Sequence, residues 1–331
     1  MTMTNLAEIS VVSKQLVSRR SRDLAYTGYA TAHHGEIFQG VVRTERGRLR
    51  RALCSLPCAG LGSEAVFVPR EGLTHEAGAV VVTPAWKTKA AGAARLVLEW
   101  AQRAELGGAL DVRSDIPPGW GLGSSTCDVV ATIRAVLAAL QIDARDPVIA
   151  ALAVKAERAC DSTVFQNEAV LFAHREGEAV ELLGELPQLL VLGFNTDPGR
   201  AGVDTLGFPP ARYSPIEIAR FAELLELLRR AIRQCDLRAL GEVATGCARI
   251  NQAHLPKPGF DRIDEAAQRI GALGVQVAHS GTVAGLLFDP YDPLGARRIA
   301  DARGEITALG FDRPWLFSTT EADPLDLRGA A

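Results

Sequence analysis

Pro117-Pro118-Gly119-Trp120-Gly121-Leu122-Gly123-Ser124-Ser125-Thr126 is the stretch on which the fold of this chain turns. Its glycines permit backbone angles closed to other residues and let the main chain approach a ligand closely. Directly downstream, Val129, Ile133, Val136, Leu137 and Leu140 step by four, three, one and three residues, the spacing of one helical face. A loop of small residues opening into a helix presents unpaired N–H groups at the positive end of a helix dipole, which suits phosphate. Two familiar phosphate loops are excluded: no Lys follows the glycines, and their spacing misses the last glycine of the dinucleotide fingerprint. On glycine content alone, a plain strand-to-helix turn capped by Ser stays equally open.

Working outward, the spacing predicts a strand over Leu110–Ile116, broken by the prolines, and earlier strands near 51–55, 65–69 and 79–83 with a helix over 89–104. After the loop helix a second helix runs from Pro147, suited to a first turn, to Glu157. A new unit begins near Gln188–Phe194 with an apolar strand, followed by a loop rich in Gly, Pro and Asp. Helices are predicted around Phe221–Ile232, Leu240–Cys247 and Ile263–Ile270. Strands at 275–279 and 283–288 flank a tight turn at Ser280-Gly281-Thr282, and a helix near 294–309 and a strand near 315–318 close the chain. The expected organisation is a polar lead-in over residues 1–24 and two lobes, 25–186 and 187–331.

At 331 residues the chain is about twice a typical domain, so two lobes with separate cores are expected. Hydrophobic residues at 47% and charged ones at 23% exclude a disordered or collagenous chain. Lys plus Arg number 36 against 39 Asp plus Glu, so no global field recruits nucleic acid or an anionic membrane. The six cysteines are too scattered for a disulfide framework or paired zinc ligands, and no apolar run spans a bilayer. The expected location is cytoplasmic and the expected partner small, with a homodimer left open.

Three segments then converge. The loop Pro117–Thr126 resembles the second motif of the GHMP kinases, named for galactose, homoserine, mevalonate and phosphomevalonate; Thr31–Gly40 (TAHHGEIFQG) resembles the first, and Ala278–Asp289 (AHSGTVAGLLFD) the third. Within that superfamily the chain is similar to the L-threonine kinases of cobalamin side-chain synthesis, through Gln39-Gly40, the AHSGT run and Ala244–Asp261 (ATGCARINQAHLPKPGFD). His34 stands where that subgroup has Cys, and His33 replaces a small residue. The resemblance implies an α+β fold with a ribosomal-protein-S5-like first lobe and a ferredoxin-like second lobe, and ATP and acceptor between them.

It also implies roles. Pro118, Gly119, Gly121, Leu122, Gly123, Ser124, Ser125 and Thr126, with Ser280, Gly281 and Thr282, would bind ATP. Mg2+ would be held by Glu157 with a loop hydroxyl, for which Ser125 is the candidate. Asp161, four residues beyond Glu157 and on the same face if the helix persists, would meet the acceptor hydroxyl. Glu36, His34, Asp204, Thr205 and Asn251 are candidates for the acceptor site; a helix-capping role for Asn251 and a turn role for Asp204-Thr205 stay open. The implied activity is ATP-dependent phosphorylation of a small hydroxylated amino acid, L-threonine giving O-phospho-L-threonine. Homoserine or a specialised-metabolism precursor, an inactive nucleotide-binding regulator, and an ATP-dependent decarboxylase are the competing readings.

Overall fold

The computed structural model describes residues 24–44, 47–71, 79–166, 168–199 and 211–320. Asp204, Thr205 and nearly all of the 1–24 lead-in lie outside them. Two long antiparallel strands, β1 (Tyr26–Arg43) and β2 (Leu49–Glu71), form the spine. The chain continues through β3 (Val80–Thr83), α1 (Thr88–Trp100), β4 (Leu106–Ser114), α2 (Ser124–Ala139), α3 (Asp146–Glu157) and a short 3-10 turn at Ser162–Val164. A hairpin of β5 (Ala169–Ala173) and β6 (Glu178–Gly184) follows, then β7 (Leu190–Asn195), α4 (Pro215–Gln234), α5 (Leu237–Asn251) and α6 (Phe260–Ile270). The last elements are β8 (Gly274–Val277), β9 (Val283–Phe288), α7 (Gly295–Ala308) and β10 (Trp315–Ser318).

The strands join in one sheet ordered β10-β7-β9-β8-β1-β2-β4-β3, with the β5–β6 hairpin attached to β2. A single register pair, Glu36 opposite Val277, links β1 to β8. That rung places the first motif against the third.

Helix α2 is buried along most of its length, from Thr126 to Leu137, because it packs on β1 and β2 with α1 and α3 beside it. Close packing needs Gly28, where a Cβ would lie 2.9 Å from Arg134 Cβ. Phe221 and Leu224 of α4 and Leu240 of α5 join the same apolar cluster, while Phe194, Ile263, Leu286 and Ile306 form a second between β7–β9–β8 and the helices α6 and α7. Burying each such side chain stabilises the fold by roughly 1.5 to 3 kcal/mol.

Spacing and structure differ at the start of β4, at the β5–β6 hairpin and at the end of α3. Strand β4 begins at Leu106, earlier than the predicted start, since Gly107 and Gly108 sit against Ala79 and Phe67 too closely for any Cβ. The β5–β6 hairpin has no counterpart in the predicted elements: Ala169–Ala173 is buried on both faces and shows no alternation. Helix α3 stops at Glu157, where Arg158 turns left-handed at φ 69°. Glu157 and Asp161 therefore do not share a helix face.

Candidate active site

The loop Pro117–Gly123 takes its shape from Gly119, Gly121 and Gly123, at φ 83°, 85° and 79°. Gly123 caps α2 with no side chain bonded to the helix's first amides, leaving those donors open. Against the loop lies the third motif: Thr282 N donates to Trp120 O at 2.9 Å, and a Cβ on Gly121 would lie 2.5 Å from Gly281 Cα. Lys257 Nζ donates to Gly281 O at 2.6 Å from the other side. The predicted phosphate residues of both motifs are thus neighbours.

Ser125, on the first turn of α2, donates to Glu157 Oε2 at 2.6 Å. Lys89 Nζ donates to the same hydroxyl at 3.1 Å and stands 3.6 Å from that carboxylate oxygen. Burial raises the Glu157 carboxyl, opposed by bonds from Ser125 and Thr126 and by the charge of Lys89. Among the described residues Glu157 Oε1 is buried with no hydrogen-bond partner.

Asp161 reaches the site by a different route from the one the spacing implied. After the Arg158 reversal, Cys160 N bonds His174 O at 2.9 Å, and Asp161 then leads the 3-10 turn. Its Oδ2 lies 3.1 Å from His33 Nε2, and a Cβ on Gly123 would fall 3.2 Å from that oxygen. The Asp161 side chain keeps 20% exposure, so one edge stays open to solvent.

His33 and Glu36 belong to a bulged stretch of β1 where the register shifts and Gly35 is left-handed at φ 72°. The bulge turns both side chains the same way, with His33 Nδ1 3.6 Å from Glu36 Oε1. Burial disfavours a charged imidazole, but Asp161 and then Glu36 override it and raise His33 to about 9. Burial likewise opposes ionisation of Asp161, and His33 overcomes it, holding that carboxyl at about 2. Burial dominates at Glu36, pushing it up to about 7, while its Oε2 accepts from His279 N at 2.7 Å. Ligand atoms of His33, Glu36 and Asp161 lie within 4.8 Å of one another. One ring nitrogen faces each carboxylate, so the charge of the imidazolium accounts for the cluster.

Two candidates are held by contacts within the fold. His34 points to the opposite face of β1, fully buried, bonded to Gln276 and packed on Trp315 and Phe317 at centroid distances of 5.5 and 5.0 Å. Asn251 uses its amide on the fold: Nδ2 donates to Gln39 O and Cys247 O at 3.0 and 2.8 Å, and Oδ1 accepts from Tyr213 at 2.7 Å. Conversely, Lys89, Lys257, His174 and His279 stand near this cluster without having been assigned there from sequence. His279 lies within the third motif, and only its position in that motif could have signalled it.

Residues 88–166 match the GHMP kinases N terminal domain. The chain is 34% identical over 199 residues to an L-threonine kinase of Citrobacter freundii, covering 59% of this chain and 68% of that protein. The chain belongs to the GHMP kinases. An L-threonine kinase of Salmonella typhimurium is 32% identical over 207 residues, 62% of this chain and 67% of that one. A homoserine kinase from Cytophaga hutchinsonii has the same fold, with a TM-score of 0.63 and 16% identity over 93% of this chain and 98% of its own. The chain is an ATP-dependent small-molecule kinase of the GHMP fold. No helix among the described residues is long and apolar enough to cross a membrane.

Proposed function

We propose that this kinase transfers the γ-phosphoryl group of ATP to the hydroxyl of a small amino acid, L-threonine giving O-phospho-L-threonine. The observation that carries the reading is the Asp161 carboxylate, kept ionised by His33 and set against Gly123 of the phosphate loop. The two L-threonine kinase relatives support the choice of acceptor. The cleft lies between two lobes, 25–186 and 187–331, with the phosphate loop in the first and the third motif in the second.

Phosphoryl transfer asks for alignment and charge neutralisation more than covalent chemistry. The acceptor oxygen forms its bond to the γ-phosphorus as the bond to the leaving ADP oxygen breaks. Asp161 accepts a hydrogen bond from the acceptor hydroxyl and aims it; with its carboxyl held so low, it orients the group while the proton leaves late, to an oxygen of the transferred phosphoryl group. The open amides of α2 face the phosphoryl oxygens. Ser125 and Glu157 fit Mg2+, since both offer hard oxygens and Glu157 Oε1 is buried without a partner. Held by Ser125 and Glu157, such a metal would supply neutralisation of the charge on the transferring phosphates.

ADP release measured with L-threonine, L-serine and L-homoserine tests the acceptor. Threonine is expected to give the highest kcat/KM; a rank of last, or no turnover above background, removes the acceptor assignment and leaves the kinase standing.

A further inference from the structure

His174 follows the buried strand β5, and its carbonyl holds the segment that delivers Asp161. Its side chain is buried, at 6% exposure, yet among the described residues neither Nδ1 nor Nε2 has a hydrogen-bond partner. Leaving a buried polar group unpaired costs about 1 to 3 kcal/mol, which a bound ligand with a polar atom would recover. The ring packs edge-on to His279, with centroids 5.4 Å apart. His279 is itself fixed: its Nδ1 accepts from Gln39 Nε2 at 2.6 Å and its backbone N–H donates to Glu36 Oε2. An imidazole accepting at Nδ1 carries its proton on Nε2.

The charges around this pair are not symmetric. The Asp161 carboxylate favours a charged His174, and the guanidinium groups of Arg175 and Arg51 oppose it. Glu36 and Asp161 cluster on His33. Burial, reinforced by those arginines, lowers His174 to about 4, so at neutral pH the ring is uncharged and keeps one donor N–H and one acceptor nitrogen. Carboxylate and guanidinium charges acting together on a buried imidazole that lacks a hydrogen-bond partner match a zwitterion. They do not match a sugar or an apolar acid.

We propose that His174 reads the α-carboxylate of the acceptor, donating a hydrogen bond to it on the Arg175 side while the α-ammonium lies toward Glu36 and Asp161. This rests on the amino-acid reading above and adds the residue that would select for it.

The test compares L-threonine with L-threoninol, in which a hydroxymethyl group replaces the carboxylate, in the wild type and in His174→Phe, which keeps an aromatic ring and removes both nitrogens. The wild type is expected to prefer threonine. His174→Phe should lower kcat/KM for threonine by about 10- to 100-fold, mostly through KM, and leave threoninol and the KM for ATP within about threefold. His174→Gln, which restores an amide donor, should recover part of the loss. Should His174→Phe melt well below the wild type, His174→Gln carries the same comparison. Equal losses on both acceptors, or a wild type indifferent to the carboxylate, overturn the subsite and leave the kinase reading intact. Turnover of neither acceptor overturns the amino-acid reading, and the subsite with it.

Discussion

His33 Nε2 stands 3.1 Å from Asp161 Oδ2 while the other nitrogen of the same ring faces Glu36, so one imidazole sets the charge of both carboxylates. His33→Gln keeps a donor and removes the positive charge. Asp161 then loses the group that offsets its burial and its carboxyl rises. The acid limb of the kcat/KM profile should move to higher pH and kcat should fall by at least about tenfold. An unchanged profile would falsify the coupling.

The same cluster makes stability depend on pH. His33 titrates higher in the folded chain than its ordinary 6.5, at about 9, so its contribution is complete below 6.5 and lost as pH rises through about 9. Glu36, raised from 4.5 to about 7, acts in the same direction at lower pH. Asp161 runs the other way: lowered from 3.8 to about 2, it contributes fully above 3.8 and loses that contribution as pH falls through about 2. Tm should therefore decline from mildly acidic to alkaline pH, and the alkaline part of the decline should be smaller in His33→Gln. A Tm that climbs across this range contradicts the assignment.

Gly123→Ala places a Cβ in a left-handed position, 2.6 Å from His33 Cδ2. Strain of about 1 to 2 kcal/mol, together with displacement of the His33 ring, should weaken ATP binding by about tenfold or more in calorimetry. The protein should remain folded by circular dichroism; wild-type ATP affinity would argue that phosphate lies elsewhere.

Glu157→Gln retains an acceptor for Ser125 and removes the charge. Activity should drop at least about tenfold and require more Mg2+, which a Mg2+ titration of initial rate measures. If the Mg2+ dependence is unmoved, the metal is held by other oxygens.

Asn251→Ala strips Gln39 O, Cys247 O and the Tyr213 hydroxyl of a shared partner. Urea unfolding should show a loss of about 1 to 3 kcal/mol. A stable variant with a raised KM for the acceptor would return Asn251 to the binding site.

The loop and its helix were legible because glycine spacing and helical periodicity are local properties, and the third-motif turn was legible for the same reason. The placement of His33 against His34 was not: adjacent strand residues face opposite ways, and only the Gly35 bulge determines which of them joins Glu36. Nor could the spacing of Glu157 and Asp161 disclose that α3 ends between them, since Arg158 is not a residue type that ordinarily turns left-handed. His174 follows five buried apolar residues and carries no signal until the hairpin brings it beneath His279.

The bond from Thr282 N to Trp120 O ties the nucleotide loop to a segment made much later in synthesis. A growing chain can fold α2 and the long hairpin of β1 and β2 early, as N-terminal portions generally do. Its phosphate cradle still lacks one wall until β8 and β9 have left the ribosome. Competence to bind ATP is thus a late event in the life of each molecule, and a chain cut short before Ala278 carries the whole glycine motif without the site it builds.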